Sequence, residues 1–316
     1  MTMRTRDWGL TLGLVVSLGL GCAQLDDGVG DEDGIDEPGL EEAESVLDSW
    51  GRDPVIFMHG CPPPGVTSDQ ASHFFDTMVQ FMISRGYPPS YLHKFVLSGP
   101  VCNSNQENAN QLASLVQSVR AVTGKPKVDL VVHSMGALGA RLYITQGGYN
   151  YVNEVVMVGG GNHGAVTAAA GIDWQNMFGY PNYEGLQEMY PPYACQGQAS
   201  GQPTADTQFT LNGCLTATGR TVQRDETPFE PTVQYRSIRN TLDEIAVPVQ
   251  TACLNMRWQN DCASPVNTSV SVGPGPGPCG PEGCPGHVTM LWNQTVMQQV
   301  FGFITLRSSG GYDPSL

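Results

Sequence analysis

The sequence predicts an α/β fold in which a mostly parallel sheet is covered on both faces by helices. Three observations predict it. Patterns typical of buried strands and of amphipathic helices alternate from about residue 52 onward. A serine lies in a short turn between one such strand and the next helix, and an acidic residue and a histidine each follow later strands. Residues 52–316 are long enough for one sizeable domain of this kind.

The first predicted strand covers the apolar residues 54–58. A helix then begins at residues 67–70, which have the spacing of a capping box, and ends near Gly86. Its apolar stripe consists of Phe75, Val79 and Met82. Residues 94–97 are a further strand candidate. Strand and helix thus alternate from the start of the domain.

The second predicted helix ends at Gly124 and has an apolar stripe of Leu112, Leu115, Val116 and Val119. Strand 128–132 and helix 137–145 follow, and strand 154–158 comes next. This βαβ alternation indicates parallel strands, because each crossover helix returns the chain to the same end of the sheet.

Two strands and one helix are predicted nearer the C-terminus. The strands cover residues 233–238 and 269–272, and the repeated Gly-Pro pairs of residues 273–278 indicate a stiff loop. The final helix is amphipathic, with an apolar face of Trp292, Val296, Val300 and Phe303. These strands extend the sheet beyond the serine turn.

The serine turn is Val132-His133-Ser134-Met135-Gly136. A strand, a sharp turn and a helix in this order are the geometry of a nucleophile elbow, which raises the serine hydroxyl above the sheet edge. An ordinary strand-to-helix turn with a capping serine would give the same short pattern. The surrounding residues therefore decide between the two interpretations.

Acyl transfer needs a base, an acid that orients it and two amides for the oxyanion. Asp243 follows a strand and is the candidate acid, with Asp261 as the alternative, and His287 is the candidate base. The candidate oxyanion-hole donors are the backbone amides of Cys61, after the first strand, and of Met135, at the start of a helix. Serine, acid and histidine occur in the chain order of one hydrolase architecture.

The chain resembles the small bacterial lipases of the α/β-hydrolase superfamily, whose elbow reads Ala-His-Ser-Met-Gly. The matching segments are PVIFMHG, KVDLVVHSMGALGARLYI, NEVVMVGGG, YRSIRNTLDEI and GHVTMLW. The resemblance implies a catalytic triad of Ser134, Asp243 and His287. Val132 departs from the family's smaller residue, and we expect a β-branched side chain there to crowd the elbow against its helix. The chain is also similar to extracellular polyhydroxyalkanoate depolymerases.

Residues 166–231 have no counterpart in the smallest members of that family and are rich in aromatic residues, Gly, Pro and Gln. They lie between two strands, so we expect them to emerge at the catalytic edge as a disulfide-containing cap. The candidate substrate-binding residues are Trp174, Met177, Phe178 and Tyr180. An insertion whose aromatic residues pack only against one another is the structural alternative.

The N-terminal residues predict export. Residues 1–22 have two arginines before a short apolar stretch, which is typical of a secretory signal, and Cys22 is the candidate lipid-anchor site of a bacterial lipoprotein. Simple secretion with cleavage nearby is the alternative. Residues 23–51 carry eleven acidic residues and no Lys or Arg, which predicts a disordered tether. The expected location is the bacterial cell envelope or the outside of the cell.

Nine cysteines less Cys22 leave an even number, which in an exported chain predicts four disulfides. Sequence does not determine their connectivity. The pairs that close short loops are Cys195–Cys214, Cys253–Cys262 and Cys279–Cys284, which leaves Cys61 with Cys102. A reactive thiol at Cys61 is the alternative.

These observations predict an exported serine hydrolase of carboxylic esters that needs no metal or organic cofactor for its reaction, with a structural calcium ion left open. The expected partners are an ester or lipid substrate and, through Cys22, a membrane. Nucleic acid is not expected, because the net charge is −15 and there is no basic cluster. The alternatives are a polyester depolymerase, an acyltransferase and a non-catalytic surface lipoprotein that retains the fold.

Overall fold

The structure is a computed structural model, and it describes residues 52–62, 66–99, 102–162, 164–165, 167–168, 184–189, 232–247, 249–254, 262, 266–279 and 281–306. All of them belong to the unit Leu40–Leu316. The predicted signal at 1–22 and tether at 23–51 lie outside the described residues. No helix among the described residues is long and apolar enough to cross a membrane.

Six strands form one sheet in the order β2-β1-β3-β4-β5-β6, and every neighbouring pair is parallel. Because all strands run in one direction, their carboxyl ends meet at the same edge of the sheet. The strands are β1 (Val55–Met58), β2 (Leu92–Phe95), β3 (Val128–His133), β4 (Val152–Val158), β5 (Gln234–Asn240) and β6 (Asn267–Val270).

Helices connect the strands. The long ones are α2, α3, α4 and α7, and the short ones lie at the turns. In chain order they are α1 (Ser68–Ser72), α2 (Asp76–Ser84), α3 (Asn105–Thr123), α4 (Gly136–Thr145), α5 (Glu184–Met189), α6 (Gly286–Thr289) and α7 (Gln294–Leu306).

Two apolar clusters cover the two faces of the sheet. Alternate residues of β1 separate them, with Val55 and Phe57 in one cluster and Ile56 and Met58 in the other. The first cluster includes residues of α1, α2 and α7, and the second includes residues of α3 and α4. The predicted α/β fold, with a parallel sheet between two layers of helices, is confirmed.

The main differences from prediction are at element ends. The strand predicted at 94–97 is β2, Leu92–Phe95, and the one predicted at 269–272 is β6, Asn267–Val270. Both are short strands in which few residues alternate, so the pattern fixes their register weakly. The capping box at Thr67 is present, but its helix is divided by a 3-10 turn at His73–Phe75.

Candidate active site

Ser134 lies between β3 and α4, in the turn predicted from the sequence. Its φ of 58° is the only positive value among the described non-glycine residues. This left-handed conformation is unfavourable for a serine and persists only where its surroundings impose it. The Ser134 amide donates to Val158 O at 3.1 Å, and its carbonyl accepts from Gly161 N at 3.3 Å. The turn between β3 and α4 is therefore held by the chain that follows β4.

Val132 does not prevent this conformation. Its side chain is fully buried in the apolar cluster that also contains Ala137 and Ala140 of α4. The small side chains of those two alanines reduce the crowding expected from a β-branched residue. The glycine that the turn requires is Gly136, where a Cβ would lie 2.8 Å from His59 O.

Asp243 and His287 form a buried pair. His287 Nδ1 lies 2.8 Å from Asp243 Oδ2, and the two side chains are 4% and 2% exposed. Because a carboxylate only accepts, the imidazole proton lies on Nδ1, and Nε2 presents its lone pair. His287 Nε2 has no hydrogen-bond partner among the described residues. This nitrogen can therefore accept a proton from a nearby hydroxyl.

The carboxylate of Asp243 is held in its charged form. Burial alone would raise the pKa of Asp243, but the charge and hydrogen bond of His287 outweigh it, and the pKa is lowered. The amides of Ile245 and Ala246 also donate to Asp243 Oδ1, at 2.9 and 2.7 Å. One carboxylate oxygen thus fixes the acid's own turn, while the other is left for His287.

His133 connects the serine turn to the histidine. Its Nε2 lies 2.8 Å from His287 O, and the two rings are 4.6 Å apart between centroids. Burial, followed by the neighbouring charge of His287, lowers the pKa of His133 to about 3. The ring is therefore neutral at pH 7 and donates from Nε2 to the carbonyl. His133 thus ties the end of β3 to the segment that carries His287.

Cys61 and Met135, whose amides are the candidate oxyanion-hole donors, lie in segments that meet beside Ser134. A Cβ on Gly60 would lie 2.6 Å from Met135 N and 2.8 Å from Ser134 Cβ, so the loop after β1 touches the turn at Ser134. Among the described residues, nothing accepts a hydrogen bond from the backbone amide of Cys61 or of Met135. Both amides remain available to an external acceptor, and they belong to adjoining segments.

The loop after β1 is fixed by a disulfide. Cys61 is bonded to Cys102, with a Cα–Cα distance of 4.8 Å, as the sequence predicted. The predicted pairs Cys253–Cys262 and Cys279–Cys284 are also present. Cys195 and Cys214 lie outside the described residues. His59 Nδ1 donates to Gly60 O at 2.7 Å, which further fixes this loop.

Helix α5 is the part of the 166–231 insertion that forms a described helix, and it packs on Met135. A Cβ on Gly185 would lie 2.8 Å from Met135 Sδ and 2.4 Å from Asn103 O. The Gly185 amide donates to Cys102 O at 3.1 Å, and Glu188 Oε2 accepts from Asn105 N at 2.6 Å. The insertion therefore contacts both the disulfide and the residue after Ser134.

The candidate substrate-binding residues Trp174, Met177, Phe178 and Tyr180, the alternative acid Asp261 and the anchor Cys22 lie outside the described residues. Among the residues that the structure describes, no three His, Cys, Asp or Glu side chains are placed to hold a metal ion. Leu242 and Ile245, on either side of Asp243, are 56% and 41% exposed. The described site thus combines a buried polar pair with exposed apolar side chains beside it.

Three residues that shape this site are not among those predicted from the sequence. Glu244 accepts hydrogen bonds from the backbone of Gly286 and His287, at 2.7 and 3.2 Å. The side chain of Asn240 bonds both the amide and the carbonyl of Val272, at 2.9 and 2.8 Å. Gly60 provides the close approach to Met135. Adjacency to Asp243 is the one signal that could have identified Glu244.

Comparison with known proteins supports the family inferred from the motifs. Residues 52–198 match the model of a family described as Lipase (class 2). A triacylglycerol lipase of Pseudomonas fragi is 29% identical over 117 residues, which is 37% of this chain and 37% of that protein. A triacylglycerol lipase of Vibrio cholerae is 29% identical over 121 residues, or 37% of this chain and 35% of that protein. The chain thus spans little more than a third of these relatives.

Among solved structures, the mature lipase BlEst2 of Bacillus licheniformis is 17% identical, with a TM-score of 0.47 over 85% of this chain and 96% of that one. The lin2722 product of Listeria innocua is 13% identical, with a TM-score of 0.44 over 80% and 94%. The family model and the two relatives confirm the resemblance of this chain to bacterial lipases of the α/β-hydrolase superfamily.

Proposed function

We propose that this protein is a serine hydrolase that cleaves carboxylic esters through an acyl-enzyme. The observation that carries the proposal is the buried hydrogen bond between His287 Nδ1 and Asp243 Oδ2, with His287 Nε2 left without a partner in the described structure. A positive φ at Ser134, in a turn whose preceding residue His133 bonds to His287 O, supports its role as the nucleophile.

In the proposed reaction, Ser134 Oγ attacks the ester carbonyl carbon and its proton passes to His287 Nε2. The carbonyl oxygen becomes an oxyanion, which the amides of Cys61 and Met135 stabilise. As the tetrahedral intermediate collapses, the alcohol leaves with the proton from His287. Water then attacks the acyl-enzyme and gives its proton to His287, and the acid is released as Ser134 regains its proton.

Asp243 has two roles in this scheme. Its hydrogen bond keeps the proton of neutral His287 on Nδ1, so that Nε2 faces the reaction with its lone pair. Its negative charge stabilises the imidazolium that forms when His287 takes the serine proton. The lowered pKa of Asp243 supports both roles, because the carboxylate stays charged at neutral pH.

An apolar acyl group is the substrate class that the surroundings favour. The exposed side chains of Leu242 and Ile245 lie on either side of the acid in the chain. Apolar surface beside a polar site suits a substrate that has one polar carbonyl and an extended hydrocarbon chain. The aromatic residues of the 166–231 insertion would add to this surface.

Hydrolysis of chromogenic esters from acetate to palmitate by the full chain, beside its Ser134→Ala variant, tests the proposal. We expect turnover by the parent protein and a loss of at least about 10⁴-fold in the variant. A variant that retains parental activity would contradict the assignment. Clearing of a polyester suspension without turnover of any soluble ester would instead favour the depolymerase.

We also propose that the chain is exported and anchored by a lipid on Cys22. The supporting feature is the signal-like segment 1–22 that ends in this cysteine, followed by the acidic residues 23–51. Labelled palmitate supplied to bacteria that express the full chain should appear in the parent protein and be absent from Cys22→Ala. Secreted, unlabelled parent protein would contradict the anchor.

A further inference from the structure

Two consecutive carboxylates follow β5, and both bind the segment that carries His287. Asp243 Oδ2 accepts from the imidazole Nδ1 at 2.8 Å. Glu244 Oε1 accepts from the backbone amide of Gly286 at 2.7 Å, and Oε2 accepts from the amide of His287 at 3.2 Å. The acid loop thus binds the histidine once through its ring and twice through its backbone.

Gly286 permits this close approach of the two loops. A Cβ at Gly286 would lie 2.4 Å from Val272 O and 3.0 Å from Glu244 Oε2. Gly286 and His287 begin α6, and amides in the first turn of a helix have no intrahelical acceptor. A carboxylate that accepts from both of them makes charge-assisted hydrogen bonds, which are stronger than neutral ones. Glu244 therefore fixes the position of the His287 backbone.

Other polar groups of His287 also have hydrogen-bond partners. His133 Nε2 donates to its carbonyl, and Asp243 accepts from its Nδ1. Together with the bond from its amide to Glu244, these bonds hold His287 between the end of β3 and the loop after β5, at the same edge of the sheet. The imidazole Nε2 is the polar atom of His287 that is left for the reaction.

We propose that Glu244 is a positioning residue for the ester hydrolysis: by holding the backbone of His287, its carboxylate sets the place of the imidazole relative to Ser134. The proposal rests on the proposed function. A shift of about 1 Å in a catalytic group can cost about a hundredfold in rate, so a backbone anchor of the base has a measurable effect.

The positioning role of Glu244 can be tested by steady-state kinetics of Glu244→Ala and Glu244→Gln on a chromogenic butyrate ester. The alanine variant loses both hydrogen bonds, and we expect kcat to fall about a hundredfold with KM unchanged. The glutamine variant keeps one acceptor oxygen but turns its amide group toward an N–H donor, so we expect an intermediate fall of about tenfold. This graded rescue distinguishes positioning from a general loss of stability.

Glu282→Gln is the matched control. Glu282 is exposed, lies five residues before His287, and makes no hydrogen bond to a described residue. The Glu282→Gln substitution removes one negative charge from the same region and leaves the backbone contacts of His287 intact. We therefore expect the kcat and KM of the parent protein. Parental kcat in both Glu244 variants, or a rise in KM alone, would overturn the proposal. If the alanine variant does not fold, the glutamine variant decides.

A second measurement separates the failure of this proposal from the failure of the proposed function. The proton between His287 Nδ1 and Asp243 Oδ2 should give a low-field NMR signal in the parent protein, in Ser134→Ala and in Glu282→Gln. We expect Glu244→Ala to weaken or abolish it. Loss of the signal in a protein that hydrolyses no ester would support the positioning role and refute the ester hydrolase. A normal signal and a normal kcat in Glu244→Ala would refute the positioning role and leave the ester hydrolase supported.

Discussion

The two sides of Ser134 are fixed by different kinds of interaction. On the acid–histidine side, which consists of Asp243, Glu244 and His287, charged groups and hydrogen bonds determine the geometry. On the proposed oxyanion side, which consists of Gly60, Cys61 and Met135, a disulfide and close steric contact do so, with one hydrogen bond, from His59 to the carbonyl of Gly60. The first side must hold a base that gains and loses a proton. The proposed oxyanion side must leave the amides of Cys61 and Met135 free, and the interactions that fix it do not use either amide as a hydrogen-bond donor.

This comparison predicts which changes damage each side. A conservative polar substitution should be severe on the acid–histidine side, because charge and proton position carry the geometry there. A single added methyl group, or the loss of one covalent bond, should be severe on the oxyanion side, because close packing and a disulfide determine the geometry there.

Among changes on the two sides of Ser134, Asp243→Asn has the largest expected effect. Asparagine keeps the shape but can turn an N–H donor toward His287, which favours the wrong tautomer of the imidazole. We expect kcat on the butyrate ester to fall by about 10³- to 10⁴-fold with little change in KM. Asp69→Asn, the same chemical change at an exposed position of α1, serves as the control and should have no effect. Comparable activity in both variants would remove Asp243 from the mechanism.

Gly60→Ala tests the oxyanion side. The new Cβ would lie 2.6 Å from Met135 N and 2.8 Å from His133 O, so the loop after β1 must move away from the turn at Ser134. Loss of one oxyanion donor lowers kcat by about 10²- to 10³-fold, and we expect a value in that range. Gly273→Ala is the control, because nothing lies within 4 Å of its Cβ position. Equal kinetics of the two variants would show that the loop does not constrain the site.

Removing disulfides separates stability from activity. The double variant Cys61→Ser/Cys102→Ser opens a loop of 41 residues, and Cys253→Ser/Cys262→Ser opens one of 9. From loop entropy we expect losses of roughly 4 and roughly 2.5 kcal/mol in the free energy of unfolding, measured in urea. Only the first pair contains a proposed oxyanion residue, so only that variant should also lose kcat under conditions where both remain folded. A loss of kcat in the second variant alone would contradict the account.

The last expected effect is on stability alone and concerns pH and His133. Its pKa is lowered to about 3 in the folded protein, so the unfolded chain takes up a proton first as the pH falls below 6.5. The free energy of unfolding therefore decreases between pH 6.5 and about pH 3, by at most about 1.4 kcal/mol per pH unit from this group.

His133→Gln should remove that part of the pH dependence. The glutamine amide can still donate to His287 O, but it does not titrate. Urea unfolding of both proteins between pH 7 and pH 4 measures the difference in slope, since the carboxylates contribute equally to the two. Identical slopes would mean that His133 is not held neutral by the fold.

The parallel fold could be predicted because its strands are continuous apolar runs. β3 and β4 are buried on both faces, and such strands are evident in the sequence without any knowledge of their partners. β2 and β6 begin two residues before the positions predicted from the sequence, because short strands at the sheet edges have few alternating residues. Local periodicity cannot fix the register of a strand whose position is set by its neighbour.

The paired residues of the site could be predicted because turn chemistry and chain order point to them. Ser134 follows a strand and precedes a helix, and Asp243 and His287 follow later strands. Adjacency to Asp243 is the one signal for Glu244, and no turn or strand pattern shows that its carboxylate bonds the backbone of residues 286 and 287. The close contact of Gly60 with Met135 likewise depends on β1 and β3 being neighbours, which sequence pattern alone does not determine.

Covalent labelling of Ser134 by diethyl p-nitrophenyl phosphate, located by mass spectrometry of the digested protein, tests the central claim most directly. This ester phosphorylates a serine only where a base activates the hydroxyl. We predict one diethylphosphoryl group on the peptide that contains Ser134, formed much more slowly in Asp243→Asn and absent in Ser134→Ala. An unlabelled Ser134 in a protein that still hydrolyses esters would contradict the claim that this serine is the nucleophile.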